Sequence, residues 1–311
     1  MKILVTGGAG FIGSHLTDRL VEEGHDITVI DSLLRGNKLS KSSFDKIEFV
    51  KGDVRNFDLV MKHSKNCDII IHFAAVLGVD IVADNPVETM DVEVIGTRNV
   101  VSAAEVNNVK KIVYASTSGI YGHSVFETSL TEEILVDPKS SYAMAKRYNE
   151  IYLASHHQER GLNTISLRFF NVYGCRQDTR MVVPKFFEQA LTNQPITVFG
   201  SGEQTRDFTY IDDTIESIVR CLDLDGSEII NIANEEEYNI KDVAVAIKEI
   251  TGSKSEIHFI EAPKKRYDYE VGRRVGSSEK LIELVDYKPK TKLMDGLTKI
   301  YELQYKKDHK K

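Results

Sequence analysis

The chain has 311 residues, 41% of them hydrophobic and 28% charged, which suits one large domain or two modest ones with a real core and excludes a disordered polymer. Its 40 Lys and Arg against 47 Asp and Glu leave a formal charge of -7, so neither a nucleic-acid backbone nor an anionic membrane is an expected partner. Cys67, Cys175 and Cys221 are too few and too scattered for a disulfide framework, and no two have metal-ligand spacing, so a reducing cytoplasm and no metal are expected.

From the first residue, short β-branched runs alternate with amphipathic ones. Lys2 to Thr6, Asp26 to Asp31, Ile47 to Lys51, Asp68 to His72, Lys111 to Ser116 and Asn163 to Arg168 read as strands buried on both faces. Between them, Ile12, Leu16, Leu20 and Val21 form one helical stripe, and Met90, Val94, Thr97, Val101 and Ala104 another. Parallel strands need crossover connections, so repeated βαβ predicts an α/β fold, a Rossmann-type doubly wound parallel sheet over residues 1–168. After Arg168 the rhythm loosens into isolated elements: Val182 to Leu191, Ile196 to Phe199, Asp213 to Leu222, Ile240 to Ile250 and Met294 to Tyr305. These predict a smaller, irregular α/β domain over 169–311, with segments near 207–231 returning to the first, and the cleft between domains is the default ligand site. The longest apolar run, Ile69 to Val79, contains His72 and is too short to span a bilayer. The glycines from Gly7 to Gly13 break any signal peptide, and Lys306, Lys307, Lys310 and Lys311 read as a solvated chain end.

The first predicted strand leads into Gly7-Gly8-Ala9-Gly10-Phe11-Ile12-Gly13, which opens a predicted helix. Gly7 permits the tight turn, Gly10 lets the backbone approach a pyrophosphate, and Gly13 allows close packing, while the helix N-terminus offers N–H groups to an anion. Asp31 ends the second strand where the dinucleotide fingerprint needs a carboxylate for the adenosine ribose. That carboxylate repels a 2′-phosphate, so NAD is expected over NADP. A turn or capping role for Asp31 is the alternative.

The spacing Gly-x-x-Gly-x-x-Gly resembles the extended short-chain dehydrogenases, the NAD-dependent epimerase/dehydratase family that acts on nucleotide sugars. The likeness recurs in Gly52-Asp53-Val54, in His72-Phe73-Ala74-Ala75 and in Ser116-Thr117-Ser118-Gly119-Ile120-Tyr121-Gly122. It implies that Asp53 contacts adenine and that Phe73, Ala74 and Ala75 line the dinucleotide. It further implies that Phe11, Ile12, Ser32, Val54, Ser116 and Phe169 complete the cofactor site.

Tyr142 and Lys146 lie four apart at the start of a predicted helix, Ser141 to Arg160, and so share one face. A phenol of pKa about 10 is a poor base at neutral pH, but a neighbouring ammonium favours the phenolate. The pair then abstracts a proton. The resemblance implies that Lys146 also holds the nicotinamide ribose, and that Thr117 is the third member, sharing a hydrogen bond with the substrate oxygen; Ser116 and Ser118 are the neighbouring alternatives. Tyr142 takes a proton from a sugar hydroxyl as hydride leaves the same carbon, and return of that hydride to the other face of the keto sugar gives epimerisation. His123, His156 and His157 stand without a ligand constellation and read as structural. Cys175 lies near the expected site, but nothing in its neighbourhood requires a nucleophilic thiol.

On the substrate side, Arg168-Phe169-Phe170-Asn171-Val172-Tyr173-Gly174 resembles the family motif whose asparagine, here Asn171, binds the sugar-nucleotide diphosphate. The block from Phe199 to Asp213 is similar to the one carrying a phosphate-binding arginine, here Arg206, whose fork suits phosphate. By position alone, Arg206 beside Asp207 would be a surface pair. The resemblance places Val182 and Lys185 over the nucleotide, and Arg266 and Asp268 on diphosphate and ribose, with Glu270 competing in register. Ser118 and Gly119 stand where the family's dehydratases carry Asp-Glu and where its decarboxylases carry glutamate in place of Gly119; small residues there match epimerases. Glu93 replaces an asparagine before Val-x-Gly-Thr, Cys175 replaces a proline, and Val76 to Ala83 lacks the usual serine-bearing sugar contact.

The expectation is an NAD-dependent nucleotide-sugar epimerase acting at C4 of a UDP-hexose or UDP-N-acetylhexosamine, as relatives do in surface-polysaccharide synthesis. The rivals are a dehydratase, C5-epimerase or other lyase with Glu93 in its acid/base set, and a non-catalytic NAD-binding sensor or scaffold. The family's habit implies a homodimer through the helices around Glu93 to Val106 and Tyr142 to His156, although core packing explains their apolar stripes equally well.

Overall fold

The computed structural model describes residues 1–76, 78–123, 128–263 and 271–306, the Val79 side chain excepted. In chain order its strands are β1 (Lys2–Thr6), β2 (Asp26–Asp31), β3 (Glu48–Lys51), β4 (Ile69–His72), β5 (Lys111–Thr117), β6 (Asn163–Phe169), β7 (Asn171–Tyr173), β8 (Ile196–Phe199), β9 (Thr205–Tyr210), β10 (Ser227–Ile232), β11 (Glu237–Asn239), β12 (Ile257–Ile260) and β13 (Arg273–Arg274). The first six match the expected runs to within one residue at either end.

Seven strands form a parallel sheet in the order β10-β6-β5-β4-β1-β2-β3. The chain winds outward from β1 to β3, then crosses to β4 on the other side of β1, so the strand order reverses between β1 and β4, whose ends are paired as Thr6 with His72. A crevice outside the carboxyl ends of strands at such a reversal is where doubly wound sheets bind ligands. The strands are apolar on both faces: on one, Leu4, Ile30, Ile70 and Ile112 pack with Val60, Val100, Val101, Ala104 and Leu153 from helices, and on the other Ile3, Val5, Val29 and Ile71 are equally buried.

The helix Ser141–Arg160 follows from its ends. Ser140 caps it by accepting the Ala143 N–H at 3.0 Å, and Gly161, at φ +73°, ends it in the left-handed conformation. The stretch that reads as a single helical stripe in sequence is broken in three: Pro86–Met90, a π-helical turn Asp91–Ile95, and Gly96–Val106. Constant helical periodicity in the sequence hides that widened turn, because side chains still recur on one face on either side of it.

The chain divides into two compact units. One comprises Met1–Ile120, Pro138–Arg168 and Ile218–Ile230; the other comprises Tyr121–Asp137, Phe169–Ser217 and Asn231–Lys311. Within the second, β9 pairs with β7 and β13 in parallel and with β11 antiparallel, and β8 pairs with β12. Buried Asp207 on β9 ties this unit together by accepting N–H groups of Asn234 and Glu235, each at 2.9 Å, and of Gly276 at 3.3 Å. Burial pushes its carboxyl up to about 6 against the pull of those bonds. Asp207 is therefore not a surface partner of Arg206: alternation along a strand sends the two side chains to opposite faces.

Candidate functional site

The glycine-rich turn is held by geometry that only glycine satisfies at two places. Gly7 has φ +73°, and a Cβ there would lie 2.6 Å from the Ala74 nitrogen; a Cβ at Gly13 would lie 2.2 Å from the Gly7 carbonyl oxygen. The turn thus rests on the backbone that follows β4, and the helix Phe11–Glu22 starts hard against it with no side chain capping its N-terminus. Phe73 donates its N–H to the Thr6 carbonyl at 2.9 Å, and Ala74 donates to the Thr6 hydroxyl at 3.3 Å. Asp31 accepts from Ala9 N at 3.0 Å and Leu33 N at 2.7 Å, so its carboxylate fastens the turn from the end of β2. Burial raises its pKa and these two bonds oppose the rise. Ser32 beside it is exposed, and Phe11 and Ile12 are partly buried.

Asp53 is gripped by Arg55, Oδ2 to Nη2 at 2.6 Å, which holds its carboxyl below the usual range. Val54 is buried, and its carbonyl accepts from Asn99 Nδ2 at 3.0 Å, so the loop after β3 is anchored to the helix Gly96–Val106. An uncapped helix N-terminus, a turn whose glycines leave its face bare and a carboxylate one strand away fit the phosphates and ribose of a dinucleotide.

At the end of β5 three neighbouring hydroxyl-bearing residues separate. Ser116 donates to Glu150 Oε1 at 2.6 Å, deep in the core, while Thr117 hydrogen-bonds the Tyr142 hydroxyl and accepts the Gly119 N–H at 3.0 Å. Of the three, Thr117 is the one brought to Tyr142. Lys146 is fully buried, its Nζ 5.5 Å from the centre of the Tyr142 ring and 4.6 Å from that of Tyr114. Its charge is met by the Glu93 carboxylate, Nζ to Oε2 at 2.9 Å, also fully buried. The Glu93 carboxylate opposes the pull of that ammonium on the Tyr142 phenol. Burial and the Glu93 charge raise the Tyr142 pKa well above that of a free phenol, and the Thr117 bond pulls it down.

Tyr114 and Asn149 are the members of this cluster that reading the sequence does not assign to a site, and Glu93 enters there only in the acid/base set of the rival lyase reading. Asn149 donates to the Tyr114 hydroxyl at 2.8 Å and the Glu93 carbonyl at 3.0 Å. Its position, three residues after Lys146 and seven after Tyr142, was a usable signal, since those spacings share a helix face. Glu93 had its own signal as a departure from asparagine. Its Oε1 accepts the Val76 N–H at 3.3 Å, and its Oε2 forms the ion pair with Lys146.

In the second unit Asn171 opens β7, and Val182 and Lys185 lie on the helix Val182–Leu191, with Lys185 Nζ 5.1 Å from the Phe199 ring centre. Arg206 donates to the Thr205 carbonyl at 2.7 Å. Register pairs it with Arg274 on β13, which places the two side chains next to each other on one face. Arg274 is not legible in the sequence, because a two-residue strand carries no periodic signal. Burial and the charge of Arg206 push its guanidinium down to about 10; its Nη2 donates to the Gly122 carbonyl at 3.3 Å, and its Nε is enclosed with no partner. Arg266, Asp268 and Glu270 lie outside the described residues. Phe169, at the end of β6, is buried. His156 pairs with Glu105 at 2.5 Å and His157 bonds the Leu162 carbonyl at 3.1 Å. No helix among the described residues is long and apolar enough to cross a membrane.

A family model described as NAD dependent epimerase/dehydratase family matches residues 3–233. A putative UDP-glucose 4-epimerase of Methanocaldococcus jannaschii is 34% identical over 303 residues, 96% of each chain. A UDP-N-acetyl-alpha-D-glucosaminuronate decarboxylase of Bacillus cytotoxicus is 33% identical over 308 residues, 95% of each chain. The crystal structure of a UDP-glucose 4-epimerase with UDP-glucose from Thermotoga maritima superposes with a TM-score of 0.91 at 31% identity, covering 97% of this chain and 98% of that one.

Proposed function

The chain belongs to the NAD-dependent epimerase/dehydratase family, and on that premise we propose that it epimerises C4 of a UDP-linked hexose or N-acetylhexosamine through a transient 4-keto sugar. The observation that carries this reading is the Thr117, Tyr142 and Lys146 cluster, with the small Ser118 and Gly119 directly after Thr117 and the neighbouring Glu93 carboxylate paired with Lys146 and the Val76 N–H. A Cβ at Gly119 would stand only 3.3 Å from Thr117 Oγ1, so a larger residue there crowds the hydroxyl the reaction uses.

The turn from Gly7 to Gly13, Asp31 and Asp53 would hold NAD, which supplies the acceptor of the hydride and gives it back. Tyr142, as phenolate, takes the proton of the C4 hydroxyl and returns it at the end. Thr117, bonded to the same phenol, orients it toward the sugar oxygen. Lys146 contributes the positive charge that opposes protonation of the phenolate. Because both proton and hydride come back, the sugar leaves with its C4 configuration changed and its oxidation state unchanged. NMR of the protein with UDP-glucose, UDP-N-acetylglucosamine and UDP-glucuronate in deuterium oxide tests the reading: the C4 epimer should appear without ring deuterium. Carbon dioxide with a UDP-pentose, or a 4-keto-6-deoxy sugar, would replace epimerase by decarboxylase or dehydratase.

Arg206 and Arg274 supply paired cationic donors for the diphosphate. Arg274→Ala should raise KM for the UDP-sugar by about 10- to 100-fold with kcat little changed, the loss of one charge-assisted hydrogen bond; an unaltered KM in steady-state kinetics would remove it from the site. A homodimer is the assembly we propose, through the exposed row Met144, Tyr148 and Ile151 on the helix Ser141–Arg160 together with Ile95 and Val106. Ile151→Asp should sediment as a monomer where the wild type sediments as a dimer.

A further inference from the structure

We propose that Glu93 is a positioning residue of this centre, the buried counter-ion that holds the Lys146 ammonium in place and takes one unit of positive charge out of the pocket in which Tyr142 must give up its proton. The inference rests on the reading of Tyr142 and Lys146 as the reacting pair, and it concerns a residue that departs from the family's asparagine.

Glu93 lies in the π-helical turn Asp91–Ile95 and is fully buried, with its carboxylate against Lys146. Its backbone is then pinned from two sides. The Glu93 carbonyl accepts from Thr97 Oγ1 at 2.7 Å and from Asn149 Nδ2 at 3.0 Å. Thr97 has one hydroxyl proton, spent on that carbonyl, so it accepts from His72 Nε2 at 3.1 Å, and His72 Nδ1 accepts from the Thr6 hydroxyl at 2.7 Å. This assigns His72 as the neutral Nε2–H tautomer. Burial, aided by the Lys146 charge, pushes its pKa down to about 3, in keeping with that assignment. A relay of Thr6, His72 and Thr97 therefore runs from the end of β1, beside the glycine-rich turn, to the residue that holds Lys146.

Besides the Thr117 hydroxyl on Tyr142, the titratable and charged groups around the pair, among the described residues, come from β4, β5, the π-helical turn and the helix Ser141–Arg160. From β4 comes neutral His72; from β5, Tyr114, whose ring lies under Lys146 and whose hydroxyl receives the Asn149 amide. From the helix Ser141–Arg160 come Tyr142, Lys146 and, one turn further, Glu150, which Arg168 and Arg147 already compensate. Glu93 is thus the one anion acting on the Tyr142 and Lys146 pair without a second cation of its own. A carboxylate at 2.9 Å from the ammonium cancels much of the field that would favour a phenolate, in the same direction as the rise in the Tyr142 pKa.

Glu93→Gln keeps the shape and removes the charge. Tyr142 then loses its proton more readily, so the acid limb of the kcat profile should move to lower pH by about one to two pH units, and Glu93→Asp should move it back toward wild type. A second readout needs no turnover. With the pocket one negative charge poorer, binding of cationic NAD should weaken relative to uncharged-ring NADH by about 10-fold in calorimetry on cofactor-stripped protein, with ADP-ribose, which lacks the ring, bound as before. An acid limb or an NAD to NADH affinity ratio that stays at the wild-type value overturns the proposal. Should Glu93→Gln fail to fold, Glu93→Asn carries the same two measurements. If no UDP-sugar is turned over by the wild type, the epimerase reading falls while the affinity ratio still decides the role of Glu93.

Discussion

Replacing Tyr142 with phenylalanine should lower kcat by about 10²- to 10⁴-fold, the range that a positioned general base supplies, while NAD remains bound. The ring that packs 5.5 Å from Lys146 Nζ is kept and only the hydroxyl bonded to Thr117 is lost. Thr117 retains the Gly119 N–H at 3.0 Å, so the end of β5 keeps its conformation. The turn at Gly7, the Asp31 carboxylate and the Asp53 and Arg55 pair are untouched, which is why cofactor retention and turnover should separate. Absorbance of protein-bound NAD with initial-rate kinetics on a UDP-sugar gives both quantities from one preparation. Turnover within a few-fold of wild type would remove Tyr142 from the chemistry, and joint loss of NAD and activity would make it a cofactor ligand instead. The contrast also bears on the sensor or scaffold reading, which requires the substitution to be silent in any catalytic assay.

The largest stability effect is expected away from the chemistry. Arg168 on β6 is buried and binds Glu150 as a fork, Nε to Oε1 and Nη2 to Oε2, both at 2.9 Å. Glu150 also receives Ser116 at 2.6 Å and Arg147 at 3.0 Å. Arg168→Leu leaves that carboxylate in the core with one hydroxyl and a partly exposed guanidinium, and breaking a buried pair from one side costs about 3–5 kcal/mol. Urea unfolding should register this as a lower midpoint with unchanged slope. The double variant Arg168→Leu with Glu150→Leu should recover most of the loss, because the penalty arises from the stranded charge. If the single and double variants are equally destabilised, packing of the long arginine side chain, and not its charge, holds β6 to the helix Ser141–Arg160.

The two predictions also mark which residues local reading reaches. Thr117, Tyr142 and Lys146 are legible because each belongs to a short motif attached to a strand end or a helix start. Arg168 is legible only as part of a motif that points toward the substrate; that its guanidinium turns inward onto Glu150 is not. Arg206 is found by its block, Arg274 is not, and the reading of Arg206 as half of a surface pair fails once β9 is seen to bury Asp207 on its opposite face.

Taken by itself, the amino-acid order determined the βαβ winding, the ends of the first six strands to within a residue, the glycine-rich turn and the Tyr142 and Lys146 spacing. These are periodicities and turns of a few residues, and backbone sterics with one-dimensional hydrophobic pattern suffice to specify them. Tertiary structure alone decided that Glu93 meets Lys146, that His72 links Thr6 to Thr97, and that Arg274 lies beside Arg206. Each joins segments far apart in the chain. Which charge compensates which depends on burial and on angstrom-scale approach in a low-dielectric interior, and neither leaves a repeating signature in the order of residues.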